Sequence, residues 1–148
     1  MRSDYAKLGL NLIISAVVMY FVMFTMIDGI GSFYHNINMF YMALMMVAPM
    51  AVLMLLMMKG MYYNEKLNRI LYVGFIALFV LAFAFTRTQT PVGDVQFVRS
   101  MIPHHSGAIL MCREAKLTDN QLIELCNDIV RSQQSEIEQM KQILARLH

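Results

Sequence analysis

Tryptophan is absent from these 148 residues, cysteine occurs twice, proline three times and glycine seven times. Two cysteines, Cys112 and Cys126, are too few for a disulfide-dense secreted scaffold and lack the paired spacing of a zinc ribbon. The scarcity of glycine and proline, with no polar repeat, excludes collagen-like and low-complexity chains. Charged residues make up only 15%, against roughly a quarter in soluble domains, so the composition is not that of an ordinary cytosolic enzyme. The net charge of +2 is small and the basic residues are scattered, so nucleic acid is excluded as a partner. What is abundant is apolar: 58% hydrophobic residues, 16 methionines and a mean hydropathy of +0.51, a balance suited to a bilayer.

Three apolar runs fill the first 85 residues. Leu8 to Ile27 and Met39 to Met58 are each long enough, at about 1.5 Å per residue, to cross roughly 30 Å of hydrocarbon. Ile70 to Phe85 is shorter and borrows Leu67 and Thr86, so the spans are expected at about 8–27, 39–58 and 68–86. The first run ends in Asp28-Gly29-Ile30-Gly31 without a small-residue cleavage site, and is read as retained. Arg2, Lys7, Lys59, Lys66 and Arg69 flank one side of these spans, while the stretch from Asp28 to Asn38 has no basic residue. The lysine and arginine asymmetry puts the N-terminus in the cytoplasm and everything after Arg87 outside, in a periplasm or its equivalent. Two parts follow: a transmembrane domain over 1–90, in contact with membrane lipid, and an extracytoplasmic helical hairpin over 91–148.

From Val92 onward six basic residues face seven acidic ones, a net of −1. Val95, Val98, Met101, Ile102, His105, Ala108, Ile109 and Cys112 recur at helical spacing, as do Leu122, Leu125, Ile129, Gln133, Glu136, Met140 and Leu144. Thr118-Asp119-Asn120-Gln121 carries an N-cap candidate with glutamine three positions later, starting the second helix after a short turn. Two helices with one apolar face each cannot enclose a core, so self-association is expected, as a homodimer or a multiple of one. Counting outward from the turn leaves Cys112 and Cys126 offset by roughly 4 Å, which favours free thiols within a subunit.

The densest chemical signal is Met101-Ile102-Pro103-His104-His105-Ser106-Gly107-Ala108-Ile109-Leu110-Met111-Cys112. Positions 101, 104, 105, 108, 111 and 112 are three and four apart, so thioethers, imidazoles and a thiol fall along one side of a helix. Thioether and thiolate sulfur favour Cu(I), and imidazole also accepts copper, so the set suits copper or silver better than zinc, magnesium or calcium. Read structurally, the same methionines are core fillers, the histidines are hydrogen-bonded core residues, and Gly107 and Ala108 permit close helix contact. No glutamate precedes a histidine by three, as di-iron sites require, and Ser106 has no nucleophile elbow or orienting acid; no enzyme is expected.

Met101-Ile102-Pro103-His104-His105, followed by Ala108-Ile109 and Met111, then Ile129, Gln133, Glu136-Ile137 and Met140, resembles the domain-of-unknown-function family 305, over Asp94 to Leu147. The resemblance implies an all-α, ferritin-like helical domain, exported across the inner membrane and binding copper or silver through methionine and histidine. It carries over Met101, His104, His105, Met111 and Met140 as metal ligands, with Gln133 and Glu136 beside them. Many members hold two copies of the helical pair, whereas this chain has one, which again implies completion of the bundle by another subunit. Cys112 stands where the family often has alanine, and is a further candidate ligand.

Nine methionines lie between Met39 and Met61, and Met42, Met46, Met50, Met54 and Met58 step by four along one helix. Such a line could pass Cu(I) between weak sites, with His35 in the preceding loop handing metal outward; the structural reading, apolar and flexible packing in lipid, is favoured. The expectation is therefore a multi-pass inner (cytoplasmic) membrane protein whose outer hairpin binds Cu(I) or silver in envelope metal handling, alongside a copper-handling partner. The alternatives are a scaffold whose methionines and histidines are core, and Cu(I) transport through the methionine-rich spans.

Overall fold

The computed structural model describes residues 2–147, and among them all regular elements are helical. Helix α1 covers Arg2–Val22, α2 Ile37–Met57, α3 Glu65–Thr88, α4 Asp94–Glu114 and α5 Asn120–Arg146. Three helices are long and apolar enough to cross a membrane: Asp4–Met26, Ile37–Met57 and Glu65–Thr88. Each begins a few residues earlier than the apolar run that announced it. For α3 the reason is local: the Asn64 side chain accepts the Leu67 N–H at 3.0 Å, so the polar turn before Ile70 is already capped helix.

The described chain divides into two compact units. The first joins α1 to α2 and α3, residues 2–22 and 38–91. Its core is Leu8, Leu12, Val47, Ala51, Leu55 and Tyr62, with Met19, Met50 and Met54 packed against it. Outside that core the helices present apolar side chains: Ile13, Val17, Val73, Ile76 and Phe83 are all more than half exposed. Such flanks are compatible with hydrocarbon.

The second unit is residues 23–37 together with 92–147, which differs from a boundary at 90/91. The hairpin of α4 and α5 is present, antiparallel and joined by a short segment from Ala115 to Asp119. Asp119, one residue after the Thr118 of the expected capping box, is the N-cap and accepts the Leu122 N–H at 2.9 Å. The hairpin core is Val98, Ile102, Ile109, Ile137 and Leu144. It also takes in Tyr34, because the connection between α1 and α2 folds onto α4 through two short 3-10 turns, Met23–Met26 and Ile30–Ser32. The two helices of the hairpin are thus not left to each other alone: α4 has a second neighbour within its own chain.

Candidate functional site

Four contacts fix this connection to α4, and they explain the middle of the Met101–Cys112 motif. Ser106, 1% exposed, accepts the Asp28 backbone N–H on Oγ at 2.8 Å. Gly107 lies so close to the chain that a Cβ there would stand 3.2 Å from the Met26 carbonyl oxygen. Arg113 Nη1 donates to the Asp28 carboxylate at 2.7 Å. Gln96 Oε1 accepts the Ile37 N–H at 3.2 Å. Ser106 and Gly107 are therefore packing residues that meet the connection, a role that spacing within α4 alone does not reveal.

The neighbouring stripe of α4 carries the chemistry. Met101, His105, Ala108 and Cys112 are half-buried and follow one another at helical spacing, with Gln133, Met140 and Cys126 half-buried on the facing side of α5. Two contacts tie these faces together. Cys112 is disulfide-bonded to Cys126, with Cα atoms 5.3 Å apart, and His105 Nδ1 lies 2.9 Å from Glu136 Oε2. Met101 lies one turn before His105 on α4, and Met140 one turn after Glu136 on α5, so in this antiparallel pair both thioethers lie on the same side of the His105–Glu136 contact. Met101, His105, Glu136 and Met140 thus flank one seam between the two helices, with Gln133 one turn before Glu136. Met140 also packs against the hairpin core.

His105 is the central member. Its side chain is 14% exposed, against 48% for Glu136. The carboxylate is at contact distance, but off the direction of the ring N–H, so Nδ1 is buried without a hydrogen-bond partner. A buried imidazole nitrogen left in this state is costly unless something engages the ring.

The other expected ligands do not join this seam. His104 is exposed, its ring centroid 6.0 Å from that of His105, and Met111, 56% exposed, lies on the same outer stripe seven residues on. Adjacent residues on a helix point about 100° apart, which is why a sequence pair of histidines does not make a chelating pair here. Cys112 is a disulfide sulfur and is neither a free thiol nor a thiolate ligand; this corrects both expectations for it. His35 is exposed and stacks edge-on against Phe33 at 5.0 Å. Met42 and Met46 are 44% and 42% exposed on α2, while Met54 Sδ accepts a hydrogen bond from Asn11 Nδ2 at 3.7 Å. The methionine ladder is therefore divided between an outer flank and helix packing. Among the described residues, no group of three or more histidine, cysteine or acidic side chains is close enough to hold a metal ion, so any site has to draw on thioethers.

A family model described as a domain of unknown function, DUF305, matches residues 50–144. The match is wider than the stretch from Asp94 that the motifs suggested: it starts inside α2 and takes in all of α3. Among curated proteins, "Uncharacterized protein L153" of Acanthamoeba polyphaga mimivirus is 37% identical over 119 residues, 79% of this chain and 76% of that protein. No solved structure matches.

Proposed function

This chain belongs to the DUF305 family of domains of unknown function, and from that premise we propose that it is a membrane-embedded protein whose helical hairpin binds Cu(I) or Ag(I). The observation that carries the reading is the seam around His105: a mostly buried imidazole beside a carboxylate, with one thioether from each helix a turn away. These residues fit a soft monovalent cation. Two thioethers and an imidazole are soft or borderline donors, and a small turn of the ring would bring its Nδ1–H onto the Glu136 carboxylate 2.9 Å away, leaving Nε2 as the donor. Met101, His105 and Met140 would hold the ion, Glu136 would fix the ring, and Gln133 lies nearby. A bound ion would supply no reaction here; the chemistry is capture and release, and we propose no enzymatic activity. His104 and Met111, on the outer stripe, belong to a second contact or to none.

The disulfide supports an oxidising surrounding for the hairpin, and the lysine and arginine asymmetry of the spans supports the same reading, a hairpin outside the cytoplasm. Exposed Phe97 and Met111 on α4 are apolar surface that a second copy would cover, so we retain self-association as part of the proposal. The rival reading, a scaffold with a purely structural hairpin, is favoured by the lack of a histidine, cysteine and acid cluster among the described residues. Transport through the spans is not adopted, because Met42 and Met46 sit on an exposed flank and not along an interior path.

The test is competition for Cu(I) between the purified full chain and a chromophoric chelator, with Zn(II) as comparator. The proposal expects one tightly held Cu(I) per chain, weak Zn(II) binding, and loss of the site in Met101→Leu/His105→Ala. A chain that yields all its Cu(I) to the chelator, or a double variant that binds like the parent, would support the scaffold reading instead.

A further inference from the structure

The end of the membrane unit where α2 gives way to α3 is built unlike its apolar flanks. Tyr5 OH donates to Asn68 Oδ1 at 2.8 Å and accepts the Asn64 N–H at 3.2 Å. Asn68 Nδ2 in turn donates to the Tyr62 carbonyl at 2.8 Å, and the Tyr5 and Tyr62 rings meet at 5.2 Å. Tyr62 is 4% exposed, so the connection between α2 and α3 is locked to both α1 and α3. This frame holds open a cleft of about 460 Å³, within the roughly 300–1,000 Å³ that ligand sites occupy.

The cleft is lined by Lys59, Tyr63, Arg69 and Tyr72 along with Tyr62 and Asn68 of the frame, and Glu65 is the one acid on its wall. Glu65 does not neutralise it: its carboxylate stands 4.0 Å from Arg69 with both side chains largely in solvent, 88% and 75% exposed, where such a pair is weak. Two cations against one acid leave the lining positive. Immediately beyond Arg69 and Tyr72 on α3 come Ile70, 67% exposed, and Val73, 69% exposed, the start of the bare apolar flank. A positive, tyrosine-lined cleft that opens onto exposed hydrocarbon-compatible surface matches a molecule with an anionic head and an apolar tail. A free anion would have no use for that flank.

We infer that this cleft binds the headgroup of an anionic phospholipid, its phosphate held by Lys59 and Arg69, its glycerol region against Tyr63 and Tyr72, and its chains along Ile70 and Val73. The inference rests on the reading of α1, α2 and α3 as membrane-spanning and is independent of the metal seam. Lys59, Tyr63 and Arg69 are all exposed, so their replacement leaves the Tyr5–Asn68–Tyr62 frame in place.

The full chain, purified in detergent, is titrated with phosphatidylglycerol and, separately, with phosphatidylcholine, and retained lipid is counted by native mass spectrometry. One phosphatidylglycerol is expected to be held in preference to phosphatidylcholine. Lys59→Ala/Arg69→Ala should weaken it by about fivefold per charge, while Arg87→Ala, which removes a charge that does not line the cleft, leaves it unchanged. Equal retention of the two lipids, a double variant that binds like the parent, or displacement of the lipid by millimolar inorganic phosphate would each overturn the inference. Flotation of the same chain with phosphatidylcholine vesicles separates the two readings. A chain that floats but shows no lipid preference refutes the headgroup site alone, and one that does not float refutes the membrane reading and the site with it.

Discussion

Cys112 of α4 is bonded to Cys126 of α5, fourteen residues on, and the link closes the end of the hairpin nearest the turn. A loop of about 15 residues contributes roughly 3 kcal/mol in the chain-entropy picture. Non-reducing peptide mass spectrometry should find the Cys112–Cys126 link in stoichiometric amount. Cys126→Ser should lower hairpin stability by about 2–3 kcal/mol, read as faster amide exchange in α4 and α5. Free thiols in the protein isolated without reductant would contradict this.

The attachment of the Met23–Ile37 connection to α4 depends on Ser106 and Gly107. Ser106→Ala removes the acceptor of the Asp28 N–H and should cost about 0.5–1.5 kcal/mol. Gly107→Ala places a methyl 3.2 Å from the Met26 carbonyl and forces the connection outward. Both should raise amide exchange across residues 23–37 more than in α5. Equal exchange in parent and variants would show that the connection is held by other contacts.

Much of this fold is legible in the sequence, because run length and helical spacing are local signals. The three apolar runs mark α1, α2 and α3, and the apolar repeat from Val95 marks α4. The disulfide is not legible, since pairing depends on the level of one helix against the other. Ala115 and Asp119 at the two ends of the turn are extended, at ψ of 131° and 124°. Between them the Leu117 N–H donates to the Ala115 carbonyl at 3.0 Å, an asymmetric turn whose shape equal counting from its two ends does not anticipate. The docking of the α1–α2 connection is equally invisible, although buried Ser106 and Gly107 beside an aromatic-rich stretch, Phe24, Phe33 and Tyr34, are a signal in retrospect. The seam is half legible: Met101 and His105 share a helical stripe, but that His104 and Met111 lie outside it follows from which face α5 covers.

Orientation is open to a direct check through single cysteines introduced at Lys66 and Leu147. Leu147→Cys should react with a membrane-impermeant maleimide in intact cells, and Lys66→Cys only after permeabilisation. The reverse pattern would place the disulfide in a reducing compartment and contradict the compartment argument.

Glu136 offers a test of how the imidazole is held. Glu136→Gln keeps the shape but removes the charge that faces His105 Nδ1, and is expected to weaken Cu(I) binding by about tenfold with the hairpin intact by circular dichroism. Unchanged affinity would mean that the carboxylate plays no part in orienting the ring.

The central claim is that the metal is held in the seam between α4 and α5 and not on the outer stripe of α4. Met140→Leu and Met111→Leu each remove one sulfur while keeping volume and apolarity, so they separate ligation from packing. Cu(I) affinity of the two variants, measured by chelator competition on the full chain, decides the matter. Met140→Leu should weaken binding by about tenfold or more, and Met111→Leu should leave it within about twofold of the parent. The opposite pattern, or loss in neither, would contradict the assignment of the site to Met101, His105 and Met140.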